Sequence, residues 1–136
     1  FDVAARDVGD RVHLVGERDD VGPFLAVADV LALTSREDPF PLVCLEAGLL
    51  GTPVVSFDNG GMAELLDGEN GIVVPALDVE AMADAVGALL DDPARRARLG
   101  ARLAADVAAR HDTAVAAPRL HELLLDLLDG RPPAPA

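Results

Sequence analysis

A chain of 136 residues has room for one domain with its own core, and at 51% hydrophobic it is excluded from intrinsic disorder over most of its length. Its 24 acidic residues outnumber 11 basic ones, all of them arginine, for a formal charge of −13 that disfavours nucleic acid and anionic lipid as partners. The single cysteine, Cys44, excludes an intrachain disulfide and fits a reducing compartment, and no apolar run approaches the ~20 residues of a membrane span.

Short apolar runs alternate with longer segments of helical period, which predicts βα units around an open parallel sheet. Residues 1–10 read as a helix end and a turn, and residues 12–15 (Val-His-Leu-Val) as a first strand closed by Gly16. A short helix follows over 21–28, with Phe24, Leu25 and Ala28 on one side, then a second strand over 30–33. A polar turn leads into a helix over 41–50, opened by Pro41 and stopped by Gly51. Strands over 54–57 and 71–74 flank a short helical segment at 62–66.

The last third reads as helical. Asp78 is placed to cap a helix carrying Met82, Val86, Leu89 and Leu90. Pro93 opens the next, with Leu99, Leu103 and Val107 at a four-residue step. Asp112 or Thr113 caps the final helix, whose Leu120, Leu123, Leu124 and Leu127 are expected to face inward, and Gly130 ends it. Residues 131–136 form a Pro/Ala tail expected to be disordered. The predicted class is α/β: an open parallel sheet with helices on both faces and a helical C-terminal third.

Open parallel sheets bind ligands beyond the carboxyl ends of their strands, so function is sought in the loops there. The informative segment is Thr34-Ser-Arg-Glu-Asp-Pro-Phe-Pro-Leu-Val-Cys-Leu-Glu46. If Pro41 occupies the first helical position, the N–H groups of Leu42 and Val43 point outward without intrahelical partners, an arrangement suited to a phosphate. Such a site needs no lysine, which suits so acidic a chain. Asp38 and Glu46, eight positions apart, flank it, and carboxylates accept hydrogen bonds from hydroxyls. On spacing alone the acids read equally as a solvated turn and a surface glutamate.

Residues 35–55, with Asp58-Asn-Gly-Gly-Met-Ala-Glu64 and Asp67-Gly-Glu-Asn-Gly-Ile-Val-Val74, resemble the C-terminal domain of retaining GT-B glycosyltransferases, most closely family 4, the "group 1" enzymes. Glu46-Ala47 and Gly51-Thr-Pro-Val-Val55 match that pattern, as do Val12-His-Leu-Val-Gly16 and Ala28-Asp-Val30. The resemblance covers residues 10–110 and implies that 1–130 form a partial nucleotide-sugar-binding domain, the Rossmann-like half of a GT-B fold. It implies that Glu46 holds the ribose hydroxyls and Asp38 the transferred sugar. It also implies that Phe40, Pro41, Leu42 and Val43 meet the sugar and diphosphate, Pro41 through contact alone. Gly16, with Glu17 and Arg18, is placed near the base.

Where the family has Glu then Gly, this chain has Asp38 then Pro39, so Glu37 competes with Asp38 for the first acidic role. Gly60 and Gly61 read either as a tight turn or as a place of close ligand approach. Glu64 reads as a helix cap or as a partner for a substrate hydroxyl, and residues 67–71 as a turn between elements. No metal site is expected: His13, His111 and His121 have no ligand spacing with one another or with Cys44, which is read as a buried small apolar residue. No cofactor is expected beyond the nucleoside-diphosphate sugar itself as donor substrate.

The resemblance further implies a missing N-terminal acceptor domain and missing Arg and Lys ligands for the diphosphate, so the chain alone is expected to be inactive. With Phe1 first and no leader ahead of it, the start reads as the interior of a longer cytoplasmic protein, membrane-associated, if at all, through the missing domain. A nucleotide-sugar epimerase of similar architecture and a non-catalytic α/β binding module are the alternatives.

Overall fold

The computed structural model describes residues 8–132. Three parallel strands, β1 (Leu31–Leu33), β2 (Val54–Phe57) and β3 (Ile72–Val74), lie side by side in chain order. Leu31 sits opposite Val54, and Val55 opposite Ile72. Parallel neighbours cannot be joined by a tight hairpin. The crossovers here are α2 (Leu42–Leu49) and α3 (Met62–Leu65); α1 (Gly22–Val27) precedes the sheet. After β3 come α4 (Val79–Asp91), α5 (Pro93–Arg110) and α6 (Thr113–Leu128).

Every residue of β2 is buried, the polar Ser56 included, as expected of a central strand covered on both faces. Alternation then divides the interior. Val54 packs with Leu25, Leu33, Cys44, Ala47, Met62 and Leu103 beneath α1, α2, α3 and the second half of α5. Val55 and Phe57 point the other way, into Val74, Met82, Leu89 and Leu99 from β3, α4 and the first half of α5. Helices therefore cover both faces of an open sheet. Leu99, Leu103 and Val107 are all buried, so their four-residue step does mark the inner stripe of α5.

Aspartates cap the three long helices. Asp78 accepts from the Ala81 N–H, Asp92 from Arg95 and Asp112 from Ala114. α2 and α5 approach closely because Gly48 has no side chain: a Cβ there would stand 2.9 Å from Leu103 Cγ.

Four expectations are corrected. Residues 12–15 are not a strand; they run in irregular conformation, with Leu14 88% exposed. A four-residue apolar run becomes a strand only where a ladder and a packed face receive it, and this one meets neither. Leu120, Leu123, Leu124 and Leu127 do not face inward: α6 buries no residue and packs mainly on α5. The 3.6-residue period identifies an apolar stripe but not what covers it. Leu25 is the buried residue of α1, while Phe24 is 45% exposed. Of the tail, Arg131 folds back to pair with Asp126 and Asp129, and residues 133–136 lie outside the described residues, as do 1–7 at the other end.

Candidate functional site

The loops after β1 and β2 emerge from the same edge of the sheet and are tied together. The Asn59 side-chain amide donates to the Ser35 carbonyl at 2.6 Å, and the Gly61 N–H to the Pro39 carbonyl at 2.7 Å. Gly60 has φ +53°, and a Cβ there would overlap the carbonyl oxygen of Asp38. Phe40 lays its ring over Gly61 on one side and against His111, with ring centroids 5.5 Å apart, on the other. Asp38, Phe40, Gly60 and Gly61 thus form one unit in which the backbone of the Asp38 turn is held from below. What the two glycines meet here is protein, the backbone of Asp38 and Pro39 and the Phe40 ring, as a tight turn between packed loops requires.

Pro41 is the N-cap of α2 rather than its first helical residue, with ψ 118°. An extended Pro41 places its carbonyl to accept from the Cys44 N–H at 3.1 Å, so the donors left open are those of Leu42 and Val43, at the first two helical positions. Leu42 is 68% exposed, so the helix start opens to solvent. The shift of one position changes the bookkeeping of the cap and leaves the same two N–H groups free.

Glu46 lies one turn further on, exposed, in a cleft walled by Asp19, Asp20, Val21 and Gly22 on one side and Leu49 and Leu50 on the other. Asp38 is not among the residues that line this cleft. Asp38, half-buried, belongs to the unit built on Gly60; Glu46 faces the segment leading into α1. Glu37 is exposed in the turn. Gly16 has φ +70° and nothing around it, so it is the following residues 19–22, rather than Gly16, that reach the cleft. Glu64 makes no capping bond: α3 has Gly61 at its N-cap and no side-chain cap.

Two ionisable side chains in this region are shifted by their surroundings. Burial, with the Asp38 carboxylate adding to it, pushes the Cys44 thiol up to about 12, so it is protonated and inert at neutral pH. Burial and the Arg110 charge lower the pKa of His111. The folded state therefore prefers neutral His111, and its contribution to stability is full above about 6.5, the ordinary value, and is lost as pH falls through the lowered one. Acidification from pH 7 to 5 should lower Tm by less in His111→Gln than in the unmodified chain; equal slopes would remove His111 from the balance.

Gly60→Ala is expected to cost about 2 kcal/mol, since a left-handed L-residue costs roughly 1–2 kcal/mol before any collision is counted. Urea midpoints give the stability, and amide shifts at residues 38–42 show whether the Asp38 turn moves with it. An unchanged midpoint and spectrum would show that the loops are not interlocked at Gly60.

Residues 2–92 match the family described as "Glycosyl transferases group 1". The chain belongs to this family. Among curated relatives, it is 41% identical over 96 residues to the lipopolysaccharide core biosynthesis glycosyltransferase LpsE of Rhizobium meliloti, covering 70% of this chain and 28% of LpsE. Among solved structures, sucrose-phosphate synthase from Thermosynechococcus elongatus superposes with a TM-score of 0.86 at 32% identity, over 94% of this chain and 33% of that one. HepE of Anabaena, solved in complex with UDP-glucose, gives 0.85 at 28% identity, over 91% and 35%. This group 1 chain therefore corresponds to the Rossmann-like half of a GT-B fold and spans only about a third of each of these three proteins.

Sequence reasoning missed two residues that pack against the loop carrying Asp38. For Asn59 the available signal was its position just beyond a strand, where a side-chain amide can reach the next loop. Its other polar atom, Oδ1, is buried with no protein partner among the described residues. His111 gave no local signal, because its contact with Phe40 joins segments 71 positions apart. Among the described residues no three His, Cys, Asp or Glu side chains converge as metal ligands would. Nor is any described helix long and apolar enough to cross a membrane.

Proposed function

We propose that this chain is the donor-binding part of a retaining glycosyltransferase that moves a sugar from a nucleoside diphosphate to an acceptor hydroxyl. The observation that carries the reading is the open start of α2 at Leu42 and Val43, set between the Asp38 turn and the Glu46 cleft at the carboxyl edge of the sheet. Family membership and the UDP-glucose named in the HepE complex support it.

In this reading the diphosphate sits at the start of α2, where two free N–H groups and the helix dipole oppose its charge as it departs. Glu46 accepts hydrogen bonds from both ribose hydroxyls, and the base lies toward residues 19–22. Asp38 orients the sugar from a turn that Gly60 and Asn59 keep in place. The acceptor hydroxyl attacks the anomeric carbon on the face the diphosphate leaves, and the leaving phosphate oxygen takes its proton. The reaction needs no bound metal, because backbone donors carry part of the charge stabilisation. An N-terminal acceptor domain and cationic ligands for the diphosphate complete the enzyme, a cytoplasmic protein, and the chain by itself binds donor weakly without turnover.

Titration with UDP, GDP and ADP, followed by amide shifts, tests the reading. Saturable shifts at residues 40–46 with one of the three are expected; silence there with all of them would favour a module without a nucleotide. With the complete gene, epimerised donor formed in the absence of acceptor would replace transfer with epimerisation.

A further inference from the structure

The amino edge of the sheet, opposite the donor loops, carries a cleft of about 460 Å³ between the turn leading into β3 and the first half of α5. Its walls are Gly68, Glu69, Arg95, Arg98, Leu99 and Arg102. In a chain of charge −13 with eleven arginines, three of them converge on this one concavity. They are spaced i, i+3 and i+7, which sets neighbouring guanidinium groups against each other on one helix face, an arrangement that is unfavourable unless an anion offsets it.

Nearby acids do so only in part. Among the described residues, neither Arg95 nor Arg98 has a carboxylate within salt-bridge distance. Arg102 spends only its Nε, on Asp106 at 3.1 Å. Glu69 brings one opposing charge to the wall, leaving an excess of positive charge. Asp67 accepts from the Glu69 and Asn70 N–H groups, and Asp106, which also accepts from Asn70, offsets Arg102 alone and leaves Arg95 and Arg98 unpaired among the described residues.

The far wall is built rather than loose. Asn70 is fully buried; its Oδ1 accepts from the Asp67 N–H, and its Nδ2 donates to the Leu65 carbonyl and to Asp106 Oδ2 at 3.0 Å. The turn read from the sequence as a bare connection is thus bolted to α5, and it fixes Gly68 and Glu69 opposite the arginines.

We infer that this cleft is a second binding site, for a small soluble phosphomonoester that carries hydroxyl groups. Guanidinium groups match phosphoryl oxygens in pairs, Glu69 accepts from a hydroxyl, and the volume exceeds what a bare phosphate fills. The inference does not rest on the donor-site reading, since the two sites lie at opposite ends of the strands.

Glycerol phosphate is the probe, titrated into the 136-residue chain and followed by amide shifts. Saturable shifts at Gly68, Glu69 and Arg95, weakened about tenfold or more in Arg95→Gln/Arg98→Gln and unmoved by saturating UDP, are expected. Arg98→Lys, which keeps the charge and loses the fork, should fall between the two. An unchanged melting temperature in the double variant separates lost binding from lost folding; if it melts early, the Arg98→Lys series decides. The inference fails if sodium chloride at matched ionic strength reproduces the shifts, if UDP displaces the probe, or if the double variant binds equally well. Co-sedimentation with phosphatidic acid vesicles, without response to glycerol phosphate, would assign the arginines to a lipid headgroup and overturn the soluble ligand.

Discussion

Glu46→Ala should weaken binding of the preferred nucleoside diphosphate by about tenfold to a hundredfold, because hydrogen bonds to a charged group contribute about 1.5–3 kcal/mol. The side chain is exposed and makes no hydrogen bond to the rest of the described chain, so its removal leaves the fold intact and the loss falls on binding. Isothermal titration against the unmodified chain measures it. Glu46→Gln keeps one acceptor without the charge and should lie between the two. Equal affinity in Glu46→Ala would take this residue out of the site and, with it, the ribose end of the proposed donor pose.

The largest effect on stability is expected at Leu103. It is fully buried, packs against Gly48 where α2 and α5 meet, and cannot be replaced by relaxation because Val107 and Met62 are fixed in the same cluster. Leu103→Ala should cost about 2–5 kcal/mol, a transfer term plus the cavity left behind. Leu124→Ala, on the exposed stripe of α6, should stay within about 0.5 kcal/mol. Thermal and urea unfolding of the two variants make the comparison. Similar losses in both would place α6 in a core that its exposure does not show.

The parts of the fold legible in sequence were those whose signal is local. Residues 54–57 read as a strand and are one, residue for residue, and the caps at Asp78 and Asp112 follow from side-chain chemistry within three positions. The α5 stripe was legible because its partners cover it. The α6 stripe has the same periodicity and no cover among the described residues, and pattern alone does not distinguish them. Residues 12–15 failed for the same reason: strand propensity is a statement about a packed neighbour.

At the site, the open donors of Leu42 and Val43 were readable from Pro41, although the cap sits one position later than expected. The different surroundings of Asp38, against Gly60, and of Glu46, in the cleft with residues 19–22, were not readable, because an eight-residue spacing fixes neither the turn before the helix nor the segment facing it. Gly60 shows the limit most clearly. Its neighbour is a carbonyl 22 positions upstream, and only folding brings the two into contact.

The buried Cys44 sits at the third position of α2, directly under the proposed anion site, and is the chain's sole thiol. An alkylating reagent in solution can reach it only during excursions that lift α2 from the sheet, so its rate of modification is a clock for those excursions. A ligand seated at the helix start should slow that clock in proportion to occupancy. The protein thereby contains its own reporter of local breathing, readable without a dye, an engineered probe or any catalytic turnover.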